Sequence, residues 1–92
     1  MKTLTAAGKV SLRAKAHTLK PVVMVAEKGL SESVIKEIDR ALFDHELIKV
    51  KILASDKTEF SELIETIETK VKAELVQKIG HIAVFYRKST KK

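Results

Sequence analysis

The chain of 92 residues has no cysteine and no tryptophan, one proline and three glycines. Without cysteine there is neither a disulfide framework nor a thiolate metal site, so apolar packing must hold the fold and a reducing compartment is the expected setting. Hydrophobic residues make up 45% of the sequence, enough for a real core in a chain the size of one domain. The few glycines form no phosphate-cradling loop, and the three histidines, His17, His45 and His81, show no metal-ligand spacing. No enzyme, cofactor or metal is therefore expected. No apolar run approaches the roughly 20 residues of a membrane span, and the N-terminus lacks the pattern of a signal peptide. A soluble, cytoplasmic protein follows as the expectation.

Aromatic side chains are also scarce: Phe43, Phe60, Phe85 and Tyr86 are all the chain has. Phe60 lies on an apolar helical stripe, while Phe85 and Tyr86 must point to opposite faces of one strand. A sheet that stacks several splayed bases is not expected, and any nucleic acid would be held mainly by phosphate and shape contacts.

Acidic residues are missing from both ends. Residues 1–26 carry five Lys or Arg and no acid, residues 75–92 carry five and no acid, and residues 27–74 carry eight basic against twelve acidic side chains. The net charge is +6. A fold that joins the two ends would have one positive and one acidic face, suited to a polyanion, although a solvated basic surface kept for solubility is the plainer reading.

Periodicity gives the elements. Thr5 to His17 reads as a helix with Lys9, Arg13, His17 and Lys20 along a basic side, and with a thin apolar side of Ala7, Val10 and Ala14. After Pro21, Val22 to Val25 reads as a strand buried on both faces. Ser31 caps a helix running to His45 through Val34, Ile38, Ala41 and Leu42. Ile48, Val50 and Ile52 alternate with Lys49 and Lys51 in a second strand, which shows its apolar side to helices and its lysines to the other side. Asp56 and Glu59 form a capping box for a third helix with the stripe Phe60, Leu63, Ile64, Ile67 and Val71. Glu74–Ile79 and Ile82–Arg87, split by Gly80-His81, read as a hairpin. The expected fold is a single α/β domain of order α-β-α-β-α-β-β, with a four-stranded mixed sheet packed by helices. Strand–helix–strand steps are expected to give parallel neighbours and the hairpin an antiparallel pair. One domain spans 1–92, with its core at about 4–88 and a basic tail at 89–92.

Two readings stand at His45 and at the loop before the second helix. His45 either meets the dipole at its helix end or is catalytic, and His81 is a solvated turn residue. His17 lines up with Lys9, Arg13 and Lys20, where it would donate to a phosphate or stack on a base. The loop Ala26-Glu27-Lys28-Gly29 precedes a helix N-terminus, so it either favours an anion there or is an ordinary turn in which Gly29 takes a positive φ.

The stretch LRAKAHTLKPVVMVAEKGLSESVIKEIDRALFDHELIKVKI, with IGHIAVFYRKS near the end, closely resembles the bacterial YhbY proteins. These are single copies of the CRM (CRS1–YhbY) RNA-binding domain. The resemblance covers about residues 4–89 and rests on the L-R-x-x-A-H-x-L-K-P run, the G-L-S-E turn, the H-E-L-I-K-V-K strand and the closing Y-R. It implies a fold similar to the C-terminal domain of translation initiation factor three, binding to ribosomal RNA in large-subunit precursors, and no catalysis. The family's G-x-x-G loop stands here as Ala26-Glu27-Lys28-Gly29, with alanine for the first glycine and an acid that phosphate would repel. The residues expected on RNA are Lys9, Arg13, His17, Lys20, Lys28, Gly29, Lys49, Lys51, Arg87 and Lys88. Ribosomal proteins are a further candidate partner, no membrane is expected, and the chain is expected to be a monomer. An Alba-like nucleic-acid-binding protein is the alternative within nucleic-acid binding, and a protein-binding assembly factor using the acidic middle is the alternative outside it.

Overall fold

The computed structural model describes residues 6–26 and 30–88. Seven elements follow in the order α1 (Ala6–Ala16), β1 (Pro21–Val25), α2 (Glu32–His45), β2 (Leu47–Ile52), α3 (Lys57–Val71), β3 (Glu74–Ile79) and β4 (Ile82–Tyr86). This is the expected α-β-α-β-α-β-β order.

Local chemistry sets the helix ends. Ser31 takes an extended conformation and its Oγ accepts from the Val34 N–H at 3.2 Å, which opens α2. Asp56 caps α3 in the same way, accepting from the Glu59 N–H at 2.8 Å. The return half of the capping box is shifted by one residue. Glu59 Oε1 accepts from the Ser55 N–H at 2.6 Å and from its hydroxyl at 2.8 Å, instead of from the Asp56 N–H.

The sheet order is β1-β2-β4-β3. β1 and β2 are parallel, as a strand–helix–strand step requires, and β3 and β4 form the antiparallel hairpin. The expectation of parallel neighbours fails for β2 and β3. β4 lies between them and pairs antiparallel with β2 along its length, from Leu47 beside Tyr86 to Lys51 beside Ile82. The burial of β4 explains the order: Ala83, Val84 and Phe85 are all fully buried, so the most apolar strand takes a central place. Gly80 turns the hairpin with φ of 56°, and the Ile52 N–H donates to the His81 carbonyl at 2.7 Å, which ties the turn to the end of β2.

Helices cover the two faces unequally. α2 and α3 cover one face, where Val23, Val25, Ile48, Val50, Ile52, Ala83 and Phe85 meet Ile38, Leu42, Ile64, Ile67 and Val71. The other face receives α1, whose Leu12 and Ala16 pack on Val76, Val84, Leu47, Ile82 and Tyr86. The apolar side of α1 therefore differs from the expected one: Ala16 is buried, whereas Val10 and Ala14 are exposed. β1 differs too. It is an edge strand, and α1 packs mainly on β3 and β2, so Val22 and Met24 are more than half exposed instead of buried.

Phe85, wholly buried in the main core, should cost about 3–5 kcal/mol when truncated to alanine. Urea unfolding should then show a lower midpoint at unchanged slope. The Glu59 carboxyl is held below its ordinary value of 4.5, first by the Ser55 N–H and then by the Ser55 hydroxyl, against weaker opposition from desolvation and the Asp56 charge. Because the folded value lies below the unfolded one, this contribution is intact above the ordinary value and is lost as pH falls through the lowered one. Glu59→Gln should accordingly flatten the fall in thermal midpoint on acidification through that range.

Candidate nucleic-acid interface

Strand alternation decides which basic residues share a face. In β2, Ile48, Val50 and Ile52 are buried under α2 and α3, so Leu47, Lys49 and Lys51 project to the α1 side. Two lysines from the acidic middle of the sequence thus join the basic end segments. On the opposite side of the molecule, α2 and α3 expose Glu32, Glu37, Asp39, Asp44, Glu62 and Glu65 together with Lys36, Arg40, Lys57 and Lys70, so that side is mixed in charge and only weakly acidic, unlike the acidic face implied by the charge distribution.

α1 covers only part of its face. It contacts β3 and β2, and beyond its C-terminal end lies a cleft of about 330 Å³ lined by Arg13, Ala14, Ala16, His17, Lys49, Gln77 and Ile79. The strand register orders the floor of this region. Pro21, Lys49, Val84 and Gln77 form one row across all four strands, and Met24, Lys51, Ile82 and Ile79 form the next. Met24 and Ile79 at the ends of the second row are 56% and 54% exposed, which leaves apolar surface open on either side of the Lys51 ammonium. Lys20, exposed at the exit of α1, directly precedes Pro21 of the first row.

Arg13, Lys20, Lys49 and Lys51 make no ion pair among the described residues. An unpaired cation at a surface remains available to an external anion, whereas a paired one is already partly neutralised. Lys9 is the contrast. It stands farther back on α1, with Nζ 3.6 Å from a Glu74 carboxylate oxygen. Lys88 is exposed beyond the end of β4, at the Leu47 and Glu74 end of the sheet. Lys28 and Gly29 lie outside the described residues, as does most of their loop. His45 and His81 are exposed, at the end of α2 and in the hairpin turn, and neither lines the cleft.

Arg87 does not join this group. Its Nη1 donates to Asp39 Oδ1 at 2.6 Å and to the Val71 carbonyl at 2.9 Å, and its Nη2 donates to the Asp39 carbonyl at 3.0 Å. Its backbone N–H donates to the Glu46 carbonyl at 2.9 Å. One side chain thereby fastens the end of β4 to α2 and to the C-terminus of α3, on the side away from α1. The arginine fork is suited to this because its donors are fixed in one plane and satisfy three acceptors at once.

Sequence reading missed Gln77, Ile79 and Met24. Gln77 and Ile79 are a polar and an apolar residue of an ordinary strand, and no local pattern ties either of them to Arg13. Among the described residues there is no group of three or more histidine or carboxylate side chains able to hold a metal, and no helix long and apolar enough to cross a membrane.

The sequence and the fold both match a known family. Residues 4–87 match the CRS1 / YhbY (CRM) domain. The chain belongs to this family. It is 47% identical over 89 residues to a Haemophilus influenzae protein named as an RNA-binding protein, covering 97% of this chain and 90% of the relative. A Pseudomonas aeruginosa protein named as a probable RNA-binding protein is 43% identical over 88 residues, covering 96% and 85%. In three dimensions the fold matches the solution structure of a Staphylococcus aureus protein described as a candidate RNA-binding protein, with a TM-score of 0.85, 39% identity and coverage of 97% and 93%.

The bonds of Arg87 predict a structural effect. Arg87→Ala should lower stability by about 1.5–3 kcal/mol, the range for hydrogen bonds to charged groups, and the thermal midpoint by roughly 10 °C. An alanine variant with the wild-type midpoint, measured by circular dichroism, would return this side chain to the set free to bind a ligand.

Proposed function

We propose that this CRM domain is a non-catalytic RNA-binding protein whose positive face, Arg13, His17, Lys20, Lys49 and Lys51, docks on RNA. We further propose that the RNA is ribosomal, within precursors of the large subunit, and that the chain acts in the cytoplasm as an assembly factor. The observation that supports the first statement is that the unpaired cations Arg13 of α1 and Lys49 of β2 line one cleft and that Lys51 projects to the same face, in a family whose relatives are named for RNA binding. Lys28 and Gly29, outside the described residues, are proposed as further RNA contacts on the strength of the sequence resemblance alone; Lys9 and Lys88 border the face. The second statement rests on the sequence resemblance to YhbY proteins.

Phosphate contacts release condensed counterions, so binding weakens linearly in the logarithm of salt, with a slope of somewhat under one unit per contact. The double variant Arg13→Glu, Lys20→Glu should bind RNA at least about tenfold more weakly at near-physiological salt, alike for all sequences, and with a shallower slope. Equal binding by the double variant would show that the face is wrongly placed. Sedimentation of the tagged protein with cell lysate through a gradient tests the ribosomal assignment. Comigration with large-subunit precursors at low salt, lost when salt is raised, is the expected result, and a protein that stays at the top at low salt would overturn it.

A further inference from the structure

The cleft beside α1 differs from a simple phosphate-binding strip. Arg13 and Lys49 line it, but so do the apolar residues Ala14, Ala16 and Ile79 and one neutral amide, Gln77. A surface that held only phosphates would need neither an apolar wall nor an amide, because phosphate oxygens are satisfied by cations and N–H donors. Gln77 is half-buried, and its side chain makes no hydrogen bond with any described residue. Lys49 and Gln77 occupy the same cross-sheet row, separated by the β4 residue Val84, which puts their backbones about 10 Å apart at the usual strand spacing. Val84 is fully buried and packs with Ala16, so the floor between them is closed. A planar group can enter from the open side, with its faces against alkyl surface and its polar edge toward Gln77.

We infer that this cleft takes a single unpaired nucleobase of the bound RNA, with Gln77 as the residue that reads its edge. The inference rests on the RNA-binding reading above and refines it. An amide presents one acceptor and two donors in a plane, which matches the paired donor and acceptor on a base edge and cannot be supplied by the surrounding cations. His17 and the Arg13 guanidinium lie where a flat cation or imidazole stacks on a base or reaches its phosphate. Lys49 and Lys20 hold the flanking backbone. The adjoining row of Ile79, Ile82, Lys51 and Met24 gives the neighbouring nucleotide an apolar track with one ammonium in it. A duplex offers no base in this position, because its bases are stacked and paired. The protein therefore distinguishes a hairpin with an unpaired nucleotide from a fully paired one of equal charge.

The test uses the full chain and a set of RNA hairpins of equal length, each with a single-nucleotide bulge of A, C, G or U, beside a fully paired control. Binding is measured by fluorescence anisotropy at one fixed salt concentration. Wild type should bind at least one bulged hairpin about tenfold or more tightly than the paired control. Gln77→Ala should reduce that preference to within about twofold while leaving the affinity for the control and the salt slope unchanged. Ala14→Leu, at an exposed helix position where leucine is well tolerated, should have the same effect by filling the cleft, and it serves if Gln77→Ala does not fold. Wild type binding every hairpin and the control within twofold would overturn the cleft assignment and leave RNA binding standing. Retention of the preference by both variants would overturn the assignment to Gln77 and this cleft. Failure of wild type to bind any of these RNAs in a salt-dependent way would overturn both the inference and the reading beneath it.

Discussion

The alternation of β2 is the constraint on which the rest of the structure depends. Its residues Ile48, Val50 and Ile52 have almost no exposed surface, and a slip of one position would put Leu47, Lys49 and Lys51 beneath α2 and α3 in their place. Burying two unpaired ammonium groups there would cost far more than the domain's stability can absorb, so the register is fixed by the core. The same register fixes the charge of the opposite face. Packing and candidate function are thus two consequences of one strand.

The sheet then separates the two tasks. On one side, α2 and α3 close a continuous core and turn their acids to solvent. On the other, a short helix with a narrow apolar contact, mainly Leu12 and Ala16, packs on β3, β4 and part of β2 and leaves Val22 and Met24 of the β1 edge exposed. A longer or more apolar α1 would shut the cleft. The weak amphipathicity of this helix, which looks like a defect when the helix is considered alone, is what leaves basic and apolar groups side by side at the surface.

Arg87 shows how charge misleads when read without geometry. In sequence it belongs to a basic end segment with Lys88 and the lysines that follow, and its neighbour Tyr86 packs on the α1 side. In the fold its guanidinium is held by Asp39 and by the Val71 and Asp39 carbonyls, joining three elements. The terminal carbonyls of a helix are acceptors in need of donors, and a nearby arginine meets that need.

The sequence by itself determined the element order, the caps at Ser31 and Asp56, the core stripes of α2 and α3 and the opposed faces of Phe85 and Tyr86. Each of these is encoded in spacings of a few residues, where 3.6-residue and two-residue periods are unambiguous. It also made the basic character of Arg13, His17, Lys49 and Lys51 legible, since charge needs no fold to be counted. Tertiary structure decided what local spacing does not encode. The insertion of β4 between β2 and β3 brought Gln77 and Ile79 to the cleft, the edge position of β1 exposed Val22 and Met24, and the seat of α1 buried Ala16 instead of Val10. These outcomes depend on contacts between residues far apart in the chain, and pairing order is settled by competition among strands for the buried centre of the sheet, a quantity that no single segment carries.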